Sequence, residues 1–470
     1  MNRALAFCAL LALCACAGVR PEAPASARVV APPAWRDGRS AGGDVPTDWW
    51  RSFDDPVLAQ TVETALANND DIAIAANRVE EARAQFDLAR AQLLPSVGLA
   101  IGGDRERFLS PFLEPTYQTA GQGEVVASYE LDLFGRLRSV KGAARARLLA
   151  TEAARDNVRL AVAASAASGY VGLRSLDAKL VLLRDTLAAR ANSLQIAQRR
   201  AAAGYSSALE LDQAEAEFRA TEQQIPVVEL AIARQEDGLS VLLGESPHSL
   251  ERGGELSALA LPSEPAMLPS QLLRRRPDIM AAEQGVVAAD HSLDAARAAF
   301  MPSVQISAAG GAVASTLLDD PVGVFSAGGS VLAPIFEGGR LRAQARGAAA
   351  RRDQAAFAYR RAALNAFREV EDALAAVQRT QEQERSLVAQ REALAGALVR
   401  ATNRYRAGYS SYLEQLDAQR GLLAADQAIL QARADRLNAA IALYQALGGG
   451  WSRASFASED TATGARANGS

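Results

Sequence analysis

The sequence predicts an α+β protein made of two copies of one unit, each combining a pair of β-strands with very long helices. The first observation is an internal repeat, in which Asp71 to Val97 aligns without gaps to Asp278 to Val304. The second is that each copy contains two short, Gly-dotted segments of alternating polarity, a pattern typical of β-hairpins. The third is that long, Ala- and Leu-rich stretches without Pro follow these hairpins, which indicates uninterrupted helices.

The repeat extends through most of the chain. Gly135-Arg136-Leu137-Arg138 recurs at 339–342, and the block 204–210 recurs at 408–414. The three blocks keep one order and are offset by 204 to 207 positions, so the duplication defines the domain organisation. We predict a first repeat at 54–260 and a second at 261–451.

The N-terminus has the pattern of a secretory signal peptide, predicted at 1–15: one Arg followed by about a dozen apolar residues. All three Cys residues lie in the first 16 positions, which excludes a disulfide framework or a Cys metal site elsewhere. Leu13-Cys14-Ala15-Cys16 resembles a bacterial lipobox, so Cys16 is the predicted lipidation site. Ala17 after it favours the outer membrane. The alternative is an ordinary cleaved signal whose cysteines are incidental.

Each repeat is expected to run through the same elements in the same order. A helical stretch, Asp54 to Leu94 or Pro277 to Met301, ends at Pro-Ser. A hairpin follows at about 95–134 in the first copy and about 302–336 in the second. A lipidated strap at 16–53 is predicted before the first helix, and a disordered tail at 452–470 after the second repeat, because neither segment has hydrophobic periodicity.

The long helices that follow the hairpins are predicted at 136–203 and 340–407. In the first of them, Leu173, Leu176, Leu180, Leu183, Leu187 and Leu194 keep a 3-4 spacing that is interrupted at Arg190. This spacing predicts a coiled-coil seam. Each long helix ends at Gly-Tyr-Ser-Ser, where Gly204 and Gly408 supply the positive φ that a helix end requires. A second helix is expected to return from each turn.

The four strands predict a membrane pore only if several chains share them. A sheet in lipid must close because its edges would otherwise leave backbone groups unpaired, and closed transmembrane barrels begin at about eight strands. Two chains would supply eight strands, three would supply twelve and four would supply sixteen. In the second strand apolar residues such as Val125 alternate with polar ones such as Glu130, so one face would meet lipid. Four strands of a soluble α+β domain are the alternative.

Ordered motifs along most of the chain resemble the TolC-like outer-membrane efflux factors, lipoprotein branch (OprM/NodT type). The motifs are Asp48-Trp49-Trp50, 53–58, Asn68 to Ile72, Tyr129 to Arg136, 242–244, Arg275 to Ile279, Tyr405 to Arg420, and Ala446 to Trp451. The resemblance implies a homotrimer that pools its strands into a twelve-stranded β-barrel and forms a long α-helical periplasmic tunnel. It also implies three kinds of partner: a periplasmic adaptor protein, an inner-membrane RND-type pump and outer-membrane lipid.

The candidate functional residues lie near the two helical turns. By resemblance, the turns contact the adaptor through Gly204, Tyr205, Ser206, Gly408, Tyr409 and Ser410. Glu414 and Asp417 are three residues apart and share a helix face, so a trimer would stack them as rings of carboxylates that raise one another's pKa. The resemblance assigns both to a periplasmic aperture, together with Tyr405 and Arg433. A solvated helix face is the alternative for each charge.

The composition and motifs argue against other classes of function. Lys and Arg number 50 against 54 Asp and Glu, a formal charge of −4, which gives no electrostatic basis for binding nucleic acid. No enzyme motif is present, His248 and His291 lie in unrelated contexts, and no metal site or cofactor is expected.

The sequence therefore predicts an outer-membrane, lipid-anchored exit duct that passively conducts drugs or other small molecules in a tripartite efflux system. The alternatives are a type I secretion duct for proteins, and a non-pore periplasmic adaptor or structural coiled-coil lipoprotein.

Overall fold

A computed structural model describes residues 21–36, 45–109, 115–263, 265 and 267–449. The predicted signal peptide, Cys16 and the tail at 452–470 lie outside the described residues. Contacts divide the chain into two compact units, and each unit draws on both sequence repeats. The first contains Asn77–Glu152, Ala281–Arg361 and 21–29; the second contains Val30–Ala76, Ala153–Met280 and 362–449.

The predicted first helical stretch consists of two helices. Helix α1 spans Pro56–Asn68 and α2 spans Asp70–Ala91. Asn69 separates them with an extended backbone, and its Oδ1 accepts from the backbone N–H groups of Asp71 and Ile72 at 3.0 and 3.3 Å. The side chain therefore competes with the helical hydrogen bonds and starts a new helix.

The four strands form one antiparallel sheet in the order β1-β2-β3-β4. They are β1 (Ser96–Leu109), β2 (Pro115–Leu131), β3 (Ser303–Ser315) and β4 (Val322–Leu332). Strand β2 ends at Leu131, three residues before the predicted end of the hairpin. The reason is Asp132, whose carboxylate accepts from the backbone N–H groups of Leu137 and Arg138 at 3.1 and 2.8 Å and so begins the next helix.

Both long helices agree closely with the sequence prediction. Helix α3 spans Arg136–Ala202 and α8 spans Arg340–Arg406, 67 residues each, or about 100 Å at 1.5 Å per residue. Leu173 and Leu183 of the predicted seam are fully buried, together with Val228, Ile232 and Leu239. The seam therefore packs against the return helices of the same repeat.

The segment that runs back from the turn forms two helices in the first repeat and one continuous helix in the second. Helices α4 (Ala208–Glu222) and α5 (Gln224–Leu242) meet at Gln223, just before Pro226, which cannot donate a helical hydrogen bond. Helices α6 (Pro269–Arg275) and α7 (Pro277–Ala298) precede β3. Helix α9, Tyr412–Ala446, is unbroken. None of the helices in the described parts of the chain carries an apolar stretch long enough to cross a membrane.

A buried carboxylate organises the start of α1 in the second unit. Asp55 Oδ1 accepts from the N–H groups of Val57 and Leu58 at 2.8 and 2.9 Å. Its Oδ2 accepts from Tyr170 Oη at 3.2 Å and from Gly254 N at 3.0 Å. One side chain thus caps α1 and ties it to α3.

Candidate functional site

One face of the sheet carries only apolar residues and glycine from 97 to 103 on β1, 121 to 131 on β2, 304 to 314 on β3 and 323 to 331 on β4. The register pairs Val97 with Ala127, Leu131 with Val304, and Gly310 with Phe325 without a bulge, and alternation places every second residue on the same side. The apolar residues on this side are Val97, Leu99, Ile101, Val125, Ala127, Tyr129, Leu131, Val304, Ile306, Ala308, Ala312, Phe325, Ala327 and Val331. Val97, Ile101 and Phe325 are 69%, 79% and 91% exposed, so this face has no apolar partner among the described residues.

The opposite face of the sheet holds the acidic and most of the other polar residues of the strands, together with a few valines such as Val126 and Val324. It carries Gln122, Glu124, Ser128, Glu130, Gln305, Ser307, Ser326 and Ser330. Ser96 and Ser128 lie opposite each other, with their hydroxyl oxygens 2.7 Å apart. A sheet whose lipid-length strands are apolar on one side and polar on the other is the arrangement of transmembrane β-barrel strands.

The two helical turns in the second unit have the same backbone geometry. Gly204 and Gly408 have φ angles of 75° and 78°. The next residues donate back across the helix end: Tyr205 N to Arg200 O and Tyr409 N to Arg404 O, both at 2.9 Å. Both turns are therefore Schellman caps, which require the left-handed conformation that glycine adopts without strain.

The tyrosine side chains at the turns face solvent, whereas the serine hydroxyl groups do not. Tyr205 and Tyr409 are 85% and 81% exposed, and a Cβ on either glycine would meet nothing within 4 Å. The hydroxyl oxygens of Ser206 and Ser410 are shielded from solvent and have no hydrogen-bond partner among the described residues. Two exposed aromatic rings next to open glycines form a surface suited to a protein partner.

Tyr405 joins the two turns inside the second unit. Its ring lies 5.6 Å from that of Tyr412 and 4.7 Å from the Arg200 guanidinium carbon. Its hydroxyl donates to Glu210 Oε2 at 3.5 Å. Ala197, Ala214 and Leu416 pack beneath these groups. Tyr405 therefore connects the end of α8 to α3 and α4.

The other predicted aperture residues do not all lie together. Glu414 is exposed and its Oε2 lies 3.7 Å from Arg404 Nη2, and Asp417 is exposed one turn further along α9. Arg433 lies about 24 Å from Asp417 along the helix at 1.5 Å per residue. Its Nη2 donates to Leu259 O at 2.7 Å, and its Nη1 lies 3.8 Å from Glu384 Oε1. Burial lowers the pKa of this guanidinium.

A buried charge cluster next to the turns was missed by the sequence reasoning. Glu217 Oε2 lies 2.8 Å from Arg190 Nη1, and its Oε1 accepts from Arg420 Nε at 2.8 Å. Arg190 Nη1 also donates to Thr221 Oγ1 at 2.5 Å. These contacts join α3, α4 and α9. The interruption of the leucine seam at Arg190 was the available signal, since a charge at a seam position needs a buried partner.

A sheet with these two faces, joined to helices of 67 residues, is the architecture of an outer-membrane channel protomer. The family model described as outer membrane efflux protein matches residues 61–245 and 268–449. The chain therefore belongs to the outer membrane efflux protein family, and the predicted resemblance is confirmed. This membership favours a channel over the non-pore adaptor.

Individual relatives cover nearly the whole chain. The solvent efflux pump outer membrane protein SrpC of Pseudomonas putida is 35% identical over an alignment of 476 positions, which covers 96% of this chain and 98% of that protein. The pyoverdine export outer membrane protein OpmQ of Pseudomonas aeruginosa is 32% identical and covers 95% and 96%. Among solved structures, the outer-membrane channel OprN has a TM-score of 0.84 at 29% identity and covers 92% of this chain and 99% of its own. The open state of Neisseria gonorrhoeae MtrE has a TM-score of 0.81 at 30% identity, covering 93% and 98%.

Proposed function

We propose that this chain is the exit duct of a tripartite efflux system, passively conducting small molecules across the outer membrane. The observation that carries the proposal is the two-faced, four-stranded sheet. On β2, β3 and β4 its apolar side is long enough to match the hydrocarbon core, because nine to eleven tilted residues span it. Its polar side can line a water-filled lumen.

The proposed functional state is a homotrimer. Strands β1 and β4 are the two edges of the sheet, and an unpaired edge is costly in lipid. Pairing β1 of one copy with β4 of the next removes both edges, and three copies close a twelve-stranded barrel. Two copies would reach the lower limit of about eight strands. Three copies agree with the family resemblance.

The helical turns are the proposed docking site for a periplasmic adaptor that also binds an inner-membrane pump. Support comes from the exposed rings of Tyr205 and Tyr409 beside glycines with open space around them. Glu414 and Asp417 are the proposed aperture residues because both are exposed on one face of α9. Tyr405 is proposed to hold the aperture through Glu210. Arg433 is proposed to lie outside the aperture, where its guanidinium group holds the 257–259 segment by hydrogen bonds to its carbonyl oxygens.

Small organic molecules are the proposed cargo. Relatives are named for the efflux of solvents and toluene and for the export of pyoverdine, which supports small molecules over the proteins of a type I secretion duct. The chain would supply a conduit, and the pump would supply energy and selectivity.

Lipidation of Cys16 is the proposed anchor in the outer membrane. One acyl-modified terminus adds membrane affinity without spanning the bilayer. Cys16→Ser should abolish labelling of the protein by radioactive palmitate, while Cys8→Ser should leave the labelling unchanged. Persistent labelling of Cys16→Ser would refute the anchor.

The duct is tested by purifying the full chain and measuring ion conductance in planar bilayers, together with SDS-resistant oligomers on unheated gels. We expect trimers and stable single-channel currents. Monomers without conductance would overturn the proposal. Deleting the gene should raise the cellular accumulation of at least one toxic small molecule, and expression of the intact gene should reverse the effect.

A further inference from the structure

Two arginines interrupt the apolar face of the sheet on β1, between Ile101 and Leu109. Arg105 and Arg107 follow Ile101 on β1 at alternate positions, and Arg107 pairs with Tyr117 of β2. Since the register has no bulge between Ser96 and Leu109, both arginines share the side that carries Val97, Leu99 and Ile101. The apolar run of Val97, Leu99 and Ile101 is therefore followed on the same side by two positive charges.

The two guanidinium groups converge on one ring. The guanidinium carbons of Arg105 and Arg107 lie 5.8 and 5.5 Å from the centre of the Tyr117 ring. Both arginines are exposed, and Tyr117 is 57% exposed. The cation–π contacts fix the arginines side by side and leave their N–H groups free to bind an anion.

No carboxylate neutralises this pair within the described parts of the chain, where neither arginine forms a salt bridge. Their sequence neighbours Asp104 and Glu106 alternate to the polar face. Asp319 and Asp320 are exposed in the turn between β3 and β4, and neither forms a salt bridge with the two arginines. Among the described residues, the side of the sheet that carries Val97 therefore holds two positive charges without a carboxylate partner.

The depth of the pair in a membrane follows from strand geometry. Arg105 is four residues beyond Ile101, about 13 Å along the strand at 3.3 Å per residue. A tilt of about 45° reduces this to about 9 Å along the membrane normal. The head-group layer adds about 5–8 Å on each side of the hydrocarbon. The guanidinium groups would thus lie at the outer edge of the lipid head groups.

We propose that Arg105, Arg107 and Tyr117 form a binding site for a lipid phosphate monoester in the leaflet farther from the starts of α3 and α8. The proposal rests on the proposed function in one respect, that the apolar face contacts lipid. Paired guanidinium groups bind phosphate oxygens through several charge-assisted hydrogen bonds. The phenol can donate one more, and tyrosine favours the membrane interface. The acyl chains of the same lipid would cover Val97, Leu99 and Ile101.

The test is titration of the detergent-solubilised, full-length protein with lipid A, followed by native mass spectrometry. Lipid A carries phosphate monoesters, and phosphatidylcholine, which lacks them, is the lipid control. The variant Arg105→Gln/Arg107→Gln should bind lipid A about tenfold more weakly, and Arg105→Lys/Arg107→Lys should recover part of the loss. Asp104→Asn/Glu106→Gln, on the other face of the same strand, should bind no more weakly than the unaltered protein.

Equal binding of lipid A by the unaltered protein and the glutamine variant would overturn the site. Displacement of lipid A by millimolar inorganic phosphate would also overturn it as a lipid site and would indicate a free-anion site. SDS-resistant oligomers of the glutamine variant show that it has folded. If they are absent, the lysine variant is tested instead. It must then prefer lipid A to phosphatidylcholine as the unaltered protein does, and loss of that preference would overturn the site. Conductance of the unaltered protein separately tests the duct, so the two proposals can fail independently.

Discussion

At the residue scale, the buried carboxylate of Glu217 is the group on which three helices depend. It faces Arg190 from α3 and Arg420 from α9. Burial lowers the pKa of Arg190, although the charge of Glu217 opposes this shift. Desolvation of buried ions can cancel their attraction, so the cluster as a whole need not add stability, but loss of one member leaves an uncompensated charge.

Glu217→Ala should therefore destabilise the protein by about 3–5 kcal/mol. Glu217→Gln should cost less, because its amide oxygen can still accept from Arg190. Glu229→Ala is the control, since Glu229 pairs with Arg184 on the surface, and exposed pairs contribute at most about 1 kcal/mol. Chemical unfolding of the three variants measures the differences. Similar losses for Glu217→Ala and Glu229→Ala would contradict the role assigned to burial.

Tyr170 predicts a pH dependence at the alkaline end. Burial, reinforced by the charge of Asp55, raises the pKa of this phenol from 10.0 to about 12. The folded state therefore holds the proton more tightly than the unfolded state, and this stabilisation is complete below pH 10 and lost as the pH rises towards 12. The thermal midpoint of the unaltered protein should fall more steeply between pH 10 and 12 than that of Tyr170→Phe. Parallel curves would exclude Tyr170 as the titrating group.

At the element scale, the centre of the sheet depends on a close approach of two backbones. A Cβ added to Gly311 in β3 would lie only 2.0 Å from Gly123 O and 2.7 Å from Glu124 Cα. Backbone atoms cannot move aside as a flexible side chain can. This contact joins the hairpin of the first repeat to that of the second, so it holds the four strands in one sheet.

Gly311→Ala should break the pairing of β2 with β3 and prevent assembly of SDS-resistant oligomers. Gly310→Ala is a matched control one residue away, because its Cβ would meet nothing within 4 Å and would only extend the apolar face. Gel mobility without heating compares the two. Oligomers of Gly311→Ala in normal yield would show that the strands tolerate a wider spacing.

At the scale of the whole molecule, the acidic residues of α9 acquire a role only in an assembly. Glu414 and Asp417 are exposed in the single chain, and exposed carboxylates one turn apart interact weakly in water. In a closed trimer, each position would bring three carboxylates close together. Their repulsion and their attraction for cations would then affect conduction.

Glu414→Gln/Asp417→Asn should raise single-channel conductance or reduce block by divalent cations, because it removes six charges from the proposed aperture. Glu392→Gln, which neutralises an exposed carboxylate elsewhere on α8, is the control and should leave both unchanged. Planar bilayer recording measures conductance and cation block. Unaltered currents in the double variant would mean that these residues do not line the aperture.

The long helices could be predicted from the sequence because interactions between residues close together in the chain specify them. The predicted helices at 136–203 and 340–407 agree to one residue with those observed, since unbroken 3.6-residue periodicity ends at glycine caps. The helical stretch predicted from 54 to 94 divides at Asn69, where a short polar side chain competes locally with helical hydrogen bonds. The ends of the strands were harder to predict. In the sequence, Asp132 continues the alternation of β2, and only the structure shows that its carboxylate accepts a hydrogen bond from the start of α3.

The sequence by itself determined the duplication, the long helices, the two turns and membership in the efflux family. Only the tertiary structure decided which residues meet. Glu217 lies 27 positions from Arg190 and 203 from Arg420, and the apolar face becomes visible only when the register of four strands is known. Periodicity and caps act within a few residues of one segment. Buried charge pairs and sheet faces depend on how distant segments pack, because burial is a property of the folded chain.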